Sequence, residues 1–315
     1  MTRSGRLQRR LEILDGLNGP NARVYDSAVS ALRHLAEEGR GVDLVKVRAP
    51  FVRGPGGGVV PPLAALVNSR GHALQTALVA LFVAQNKVGS APHVLDLPLT
   101  AASSRQVAWS DLVVLPEEEG SGSASRTLKQ RKAVAARSAL RRLTRADVSL
   151  VELPGRGSRK GGYDSVRLLE DVGPRPVGLP VPYKVPVAGD DQISIPAAFF
   201  LNGWVFTLAD SEIVTYLMYR MLCRGGRGAR ISAAEREDFF GVKTSAWEQY
   251  WLLEACGLVQ VEPGEGRRSD GTFVGQARGA EPTNHVFRMR DETLNDGALT
   301  KVWGVVDARV DRKKA

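Results

Sequence analysis

Twelve lysines and arginines fall within residues 123–169, against Asp147, Glu152 and Asp164, so this segment carries +9, the formal net charge of the whole 315-residue chain. The rest of the protein balances to zero. Cations concentrated in this way suit a polyanion, because each one seated on a phosphate releases condensed counterions. Seven of them, Arg126, Lys129, Arg131, Lys132, Arg137, Arg141 and Arg142, recur at mixed spacings. On a helix they spread round more than one face, and the pairs 126/129, 129/132 and 137/141 share faces best. Gln130 and Ser138 are interleaved among them as candidate readers of base edges, while an arginine either grips phosphate or takes guanine bidentately. Arg156, Arg159 and Lys160 lie in the run PGRGSRKGG at 154–162, whose glycines let backbone approach a phosphate closely. A solvated basic face without a partner is the competing reading of the same charges.

Residue patterns for other chemistry are poor. The glycines at 54–58 are followed by Val and Pro, with no Gly-Lys-Ser/Thr, so they do not form a nucleotide-cradling loop. His34, His72, His93 and His285 stand alone, without Cys or acidic residues at metal-ligand spacing. No Ser–His–Asp or paired-carboxylate arrangement stands out, and Asp190-Asp191 reads as the start of a turn. Cys223 and Cys256 sit in apolar helical surroundings and read as buried thiols of a reducing cytosol. The expectation is a protein that is not an enzyme and uses no cofactor or metal. No apolar run reaches membrane-spanning length, and the polar, basic residues 1–10 are not followed by an apolar signal region. A cytoplasmic, nucleoid- or plasmid-associated location is expected.

The elements that must position these residues come from periodicity and punctuation. Residues 1–20 read as a loose basic arm. A helix follows over 23–38 with Asn21 as its cap, then a short strand at 42–47 and a loop at 54–62. Residues 71–85 form a clear helix with Leu74, Ala77, Leu78, Leu81 and Phe82 on one face. A short helix over 109–115 capped by Ser110, and a third over 125–143, come next. Strands at 148–153 and 163–169 then flank the basic glycine-rich loop. Residues 172–196, rich in Pro, Gly and Val, read as an extended linker.

After the linker the same order returns. Asp210 is expected to cap a helix that ends at Gly225. Ser232 with Glu235 forms a capping box for a short helix ending near Gly241. Ser245 with Glu248 reads as another, opening a helix that ends at Gly257. Strands at 258–262 and 284–289 close the set. The third helix of this half offers Lys243, Thr244, Ser245 and Gln249 as base readers, with Arg267 and Arg268 in the loop that follows. It is nearly neutral and aromatic-rich, and Trp247 and Trp251, four residues apart, read as core. A protein-contact face, such as that of a homodimer, is therefore the alternative for this half. Arg309, Arg312, Lys313 and Lys314 read as a solvated basic tail.

Three helices followed by a two-stranded hairpin resemble the winged-helix variant of the helix-turn-helix. The resemblance covers about residues 60–172 and again about 195–292. Its stronger local form is in the second half: Phe200-Leu-Asn-Gly-Trp204 with Leu208, Ser211-Glu212 and Leu217, and the run from Trp247 through Leu253-Glu254 to Gly257-Leu-Val259. In that family the third helix enters the major groove and the hairpin loop reaches backbone or minor groove. Two such units in tandem resemble bacterial plasmid replication initiators, which bind repeated origin sequences with both domains. The resemblance implies an α+β, mainly α fold: an N-terminal extension over 1–60, a basic winged helix over 61–172, a linker over 173–195, a second winged helix over 196–292 and a tail over 293–315. It implies double-stranded DNA as partner, sequence-specific binding and replication initiation. A winged-helix transcriptional regulator, or a partition module touching DNA unspecifically, are the alternatives.

Overall fold

Leucines spaced at three and four residues open the chain. Leu11, Leu14 and Leu17 fall on one buried side of helix α1 (Arg3–Asn18). A computed structural model describes residues 3–67, 71–89, 91–103, 106–115, 127–154, 162–163, 165–174, 180–247, 250–266 and 283–311. The fold is mainly helical with small antiparallel sheets, and no described helix is long and apolar enough to cross a membrane. The loose N-terminal arm expected from sequence is α1 itself. It turns into helix α2 (Ala22–Glu37), whose Val24, Tyr25, Ala28, Val29 and Leu32 are buried; Asn21 occupies the cap position but makes no side-chain capping bond.

From residue 44 a series of elements unrolls, and from residue 192 it unrolls again. The first series is strand β1 (Leu44–Arg48), helices α3 (Ala49–Val52), α4 (Pro62–Val67) and α5 (Ala73–Asn86), strand β2 (Val94–Leu95), helix α6 (Leu128–Leu143) and strands β3 (Val151–Glu152) and β4 (Val166–Leu168). The second is strand β5 (Gln192–Pro196), helices α7 (Ala198–Leu201), α8 (Trp204–Thr207), α9 (Asp210–Leu222), α10 (Ala233–Phe240), α11 (Thr244–Trp247) and α12 (Tyr250–Ala255), and strands β6 (Val259–Glu262) and β7 (Val286–Met289). Helix α13 (Ala298–Asp311) follows. In each series the last strand lies in the middle of its sheet. The first sheet runs β2-β4-β3; in the second, β7 pairs with β6 on one side and with Ala229 on the other. The long helices α5 and α9 are buried nearly all round, as central core helices must be.

The two series meet at an antiparallel strap of β1 on β5. Val45 pairs with Ile195 and Val47 with Ile193, and Lys46 faces Ser194 at the centre. Two equivalent strands paired about such a centre are related by a local two-fold axis. The surroundings repeat accordingly: Ala49 N donates to Asp191 O and Ala197 N to Asp43 O, both at 2.8 Å. Phe51 and Phe199 occupy equivalent positions and both are fully buried. The outer edges are capped in parallel fashion. Gln85 of α5 accepts from Lys46 N (2.9 Å) and donates to Lys46 O (2.7 Å); Arg220 of α9 donates to Ser194 O (2.6 Å). Helix α4 packs on α9 as α8 packs on α5, and Phe82 stacks on Phe200 with centroids 4.8 Å apart, so one hydrophobic core runs through both series.

Four expectations change. The end of the extended linker is strand β5, and residues 181–183 lie beside β4, with Tyr183 N donating to Leu168 O. The basic tail is in its described part helix α13: Val302, Val306 and Val310 are buried, α1 packs against it, and Trp303 Nε1 donates to Asp15 (2.7 Å). Residues 109–112 form turns rather than a helix, and Asp111, not Ser110, caps them by accepting from Ala108 N (3.0 Å). Ala209, not Asp210, holds the cap position of α9, with Glu212 accepting from its N–H (2.7 Å).

Candidate nucleic-acid interface

Helix α6 starts at a reciprocal cap. Gln130 N donates to Thr127 Oγ1 (3.3 Å) and Thr127 N to Gln130 Oε1 (3.0 Å). The Thr-x-x-Gln signal was present in the sequence, although the start was expected at Ser125. The cap also changes the role of Gln130, whose carbonyl oxygen is committed to the helix terminus. Ala133, Ala136, Ala139, Leu140 and Leu143 bury one side of α6. The opposite side exposes Gln130, Val134, Ser138 and Arg141, with Arg131 and Arg137 half-buried at its margins; Lys129 is exposed in the first turn beside Lys132, and Arg145 lies exposed beyond the helix.

The basic residues have separate fates. Arg137 and Arg141 converge on one ring: their guanidinium carbons lie 5.6 and 5.9 Å from the centroid of Tyr163, and Arg141 Nε donates to Tyr163 Oη (2.7 Å). Tyr163 belongs to the segment preceding β4, so the hairpin aims two arginines of the helix. Sequence reading placed this tyrosine in a strand and did not connect it with them. Arg142 is spent internally, on both oxygens of Asp147 (2.8 Å each) and on Ala65 O (2.9 Å). Its hydrogen bond holds the Asp147 carboxyl below the ordinary carboxylate range.

Lys132 departs from the expected groove-facing set. Only 8% of it is exposed, because position 132 lies on the side of α6 turned toward the 101–111 loop. Burial pushes its ammonium below the usual lysine range, opposed by the nearby Asp111 carboxylate. Arg126, Arg156, Arg159, Lys160, Gln249, Arg267 and Arg268 lie outside the described residues.

In the second series, Ser232 and Glu235 form the expected capping box. Glu235 N donates to Ser232 Oγ (3.2 Å), while Ser232 N (2.9 Å) and Ser232 Oγ (2.7 Å) donate to Glu235 Oε2 and draw that carboxyl down. Helix α10 ends at Gly241 with φ +61°, a left-handed turn glycine adopts at least cost. Lys243, Thr244 and Ser245 follow, all exposed, at the start of α11. Ser245 lies inside that helix and is not its cap. Thr244 Oγ1 is tied back to α10, 3.3 Å from both Arg236 Nη2 and Glu237 Oε1. Arg236 is buried, donates to Val242 O (3.0 Å) and lies over the Trp247 ring at 4.9 Å. Trp247 and Trp251 are half-buried rather than fully interior; Trp247 packs on Tyr250 and Phe287, and Arg309 covers Trp251.

A loop of the first series also docks here. Gly54 N donates to Phe239 O (2.7 Å), Gly58 N to Asp238 Oδ1 (3.3 Å), and Arg53 stacks on Phe239 at 4.7 Å. Nothing in the local sequence pattern signals this long-range contact. The thiols of Cys223 and Cys256 are both raised by burial, Cys256 to about 12, which keeps them protonated and poorly nucleophilic. Among the described residues, no three His, Cys, Asp or Glu side chains are grouped to hold a metal.

No family model matches this chain, and neither a curated protein nor a solved structure is significantly similar to it.

Proposed function

We propose that the protein binds double-stranded DNA sequence-specifically through two winged-helix-like units, and that it acts as a plasmid replication initiator. One observation carries the reading: a similar order of long helix, edge strand or single bridging residue, turn or short helix, third helix and hairpin occurs twice, each time with the last strand paired on both sides. Each third helix presents a polar surface, α6 with Lys129, Ser138, Arg137 and Arg141, and α11 with Lys243 and Ser245. Exposed Val134 adds an apolar contact of the kind that meets a thymine methyl. In this reading the cationic α6 supplies most of the affinity, and the nearly neutral α11–α12 adds discrimination. In this reading one chain, its two units sharing one core, engages two stretches of major groove.

The test is recovery of fragmented genomic and plasmid DNA on the full chain at physiological salt, followed by sequencing of what is retained. Enrichment of a few sites establishes specific recognition. Direct repeats beside an origin support initiation, and isolated promoter sites support a transcriptional regulator. Uniform recovery that disappears as salt rises defeats the specific reading and leaves an electrostatic anchor.

A further inference from the structure

We infer that the pocket between α2, residues 101–103, 106, 110 and 111, and the N-terminal turn of α6 is a phosphate-binding site with Lys132 at its base. It is an open pocket with a volume of about 540 Å³. Lys132 is more than nine-tenths buried and lines it, yet no described hydrogen bond or ion pair fixes its ammonium. Packing alone does not call for a charge at this position, since an apolar side chain would be buried there without an electrostatic penalty. A bound anion removes that penalty.

The remaining lining favours donors over acceptors. Lys129 contributes a second ammonium, and Ser103 and Ser110 contribute hydroxyls. Gln106 has its carbonyl oxygen committed to Ala102 N (3.2 Å), which leaves its amide hydrogens for a ligand. Leu128 and Lys129 both border the pocket, and the first-turn N–H groups of a sixteen-residue helix have no intrahelical acceptor. Among the described lining residues Asp111 is the one carboxylate; its Oδ2 already accepts from Ala108 N, and the two ammoniums outweigh it. Burial lowers the Lys132 ammonium, the direction that a bound anion reverses. The phosphate has two chemically equivalent sources, a DNA backbone lying along α6 or a free phosphorylated small molecule. The first rests on the DNA-binding reading; the second does not.

The experiment is calorimetric titration of the full chain with inorganic phosphate and with a 5′-phosphorylated nucleoside, the unphosphorylated nucleoside serving as control. Both phosphates should bind and the control should not. Lys132→Met keeps the side chain's length and its helix, and should weaken binding about tenfold or more. Lys129→Ala, at an exposed position that does not threaten folding, should weaken it by a smaller factor. Arg137→Ala removes the same charge from the same helix outside the pocket and should leave phosphate binding unchanged. Absence of binding to the wild type overturns the inference, as does equal affinity in Lys132→Met and Lys129→Ala, or equal loss in Arg137→Ala. Repeating the titration on the duplex complex separates the sources: exclusion of phosphate by duplex assigns a backbone phosphate, and retention assigns a free ligand. If no duplex is bound at all while phosphate still is, the functional proposal fails and the site stands.

Discussion

Helix α6 and the pair α11–α12 come at the same place in two series of similar element order, yet the first exposes cations and the second is nearly neutral. On α6, Arg137 and Arg141 reach the surface and are braced from outside by Tyr163. In the second series Arg236, on the preceding helix α10, is buried against Trp247 and holds the turn into α11. The scaffold therefore dictates where a third helix sits, while the identity of a few flanking side chains decides whether its cations face solvent or serve the fold. A cationic surface and a nearly neutral one follow from a similar order of elements.

The sharpest way to break this comparison is by charge removal. Arg137→Ala with Arg141→Ala should lower duplex affinity about 10- to 100-fold and flatten the salt slope by about two. Lys243→Ala with Ser245→Ala should cost only a few-fold. Anisotropy titrations at several salt concentrations measure both, and equal losses would erase the distinction between the halves.

Next in size are the two edge caps of the strap. Gln85→Ala orphans Lys46 N–H and C=O together with the Tyr183 hydroxyl, all served by one buried side chain. It should cost about 2–3 kcal/mol in a denaturant melt. Arg220→Met strands Ser194 O and the half-exposed Asp291, which water can still reach, and should cost about 1–2 kcal/mol. A larger loss in Arg220→Met would reverse the ranking of the two halves.

The helix starts differ as well. Helix α5 has no acidic residue in its first turn, whereas α9 opens on Asp210, whose carboxyl burial raises to about 7. Arg10 opposes that rise and Glu212 adds to it. The folded chain therefore holds a proton at pH values where the unfolded chain has released it. The contribution of this site declines as pH rises from 3.8 toward about 7 and is at its least favourable above. Asp210→Asn should stabilise the protein by about 1 kcal/mol or more at pH 8 and by little at pH 4. Thermal melts across this interval check it, and an unchanged pH profile would rule out a buried, proton-holding Asp210. The smallest effect is expected for Tyr163→Phe, which keeps the ring but removes the acceptor of Arg141 Nε. It should weaken duplex binding about threefold to fivefold, while Tyr163→Ala loses more.

Much of the architecture was legible locally. Helix α5 itself, though buried nearly all round and not on one face alone, the Ser232–Glu235 box, the glycine ends at 241 and 257 and the hairpin strands are written in intervals of a few residues. Helical period, capping and turn stereochemistry act over that range. The localisation of positive charge in residues 123–169 was equally a property of sequence.

What the sequence by itself determined was therefore the order and type of most elements and the segment that carries the charge. Long-range packing set the rest: β1 pairs with β5, Lys46 and Ser194 being 148 positions apart, α1 packs on α13, and one core serves both series. It also decided which cations are surface and which are interior: Arg141 faces solvent, Arg142 closes an ion pair and Lys132 lines a pocket. The physical reason is that period and capping are set by a residue's near neighbours. Exposure and strand pairing depend on which distant segment is brought against it, and the loop-closure entropy of that meeting is offset by contacts no local pattern encodes.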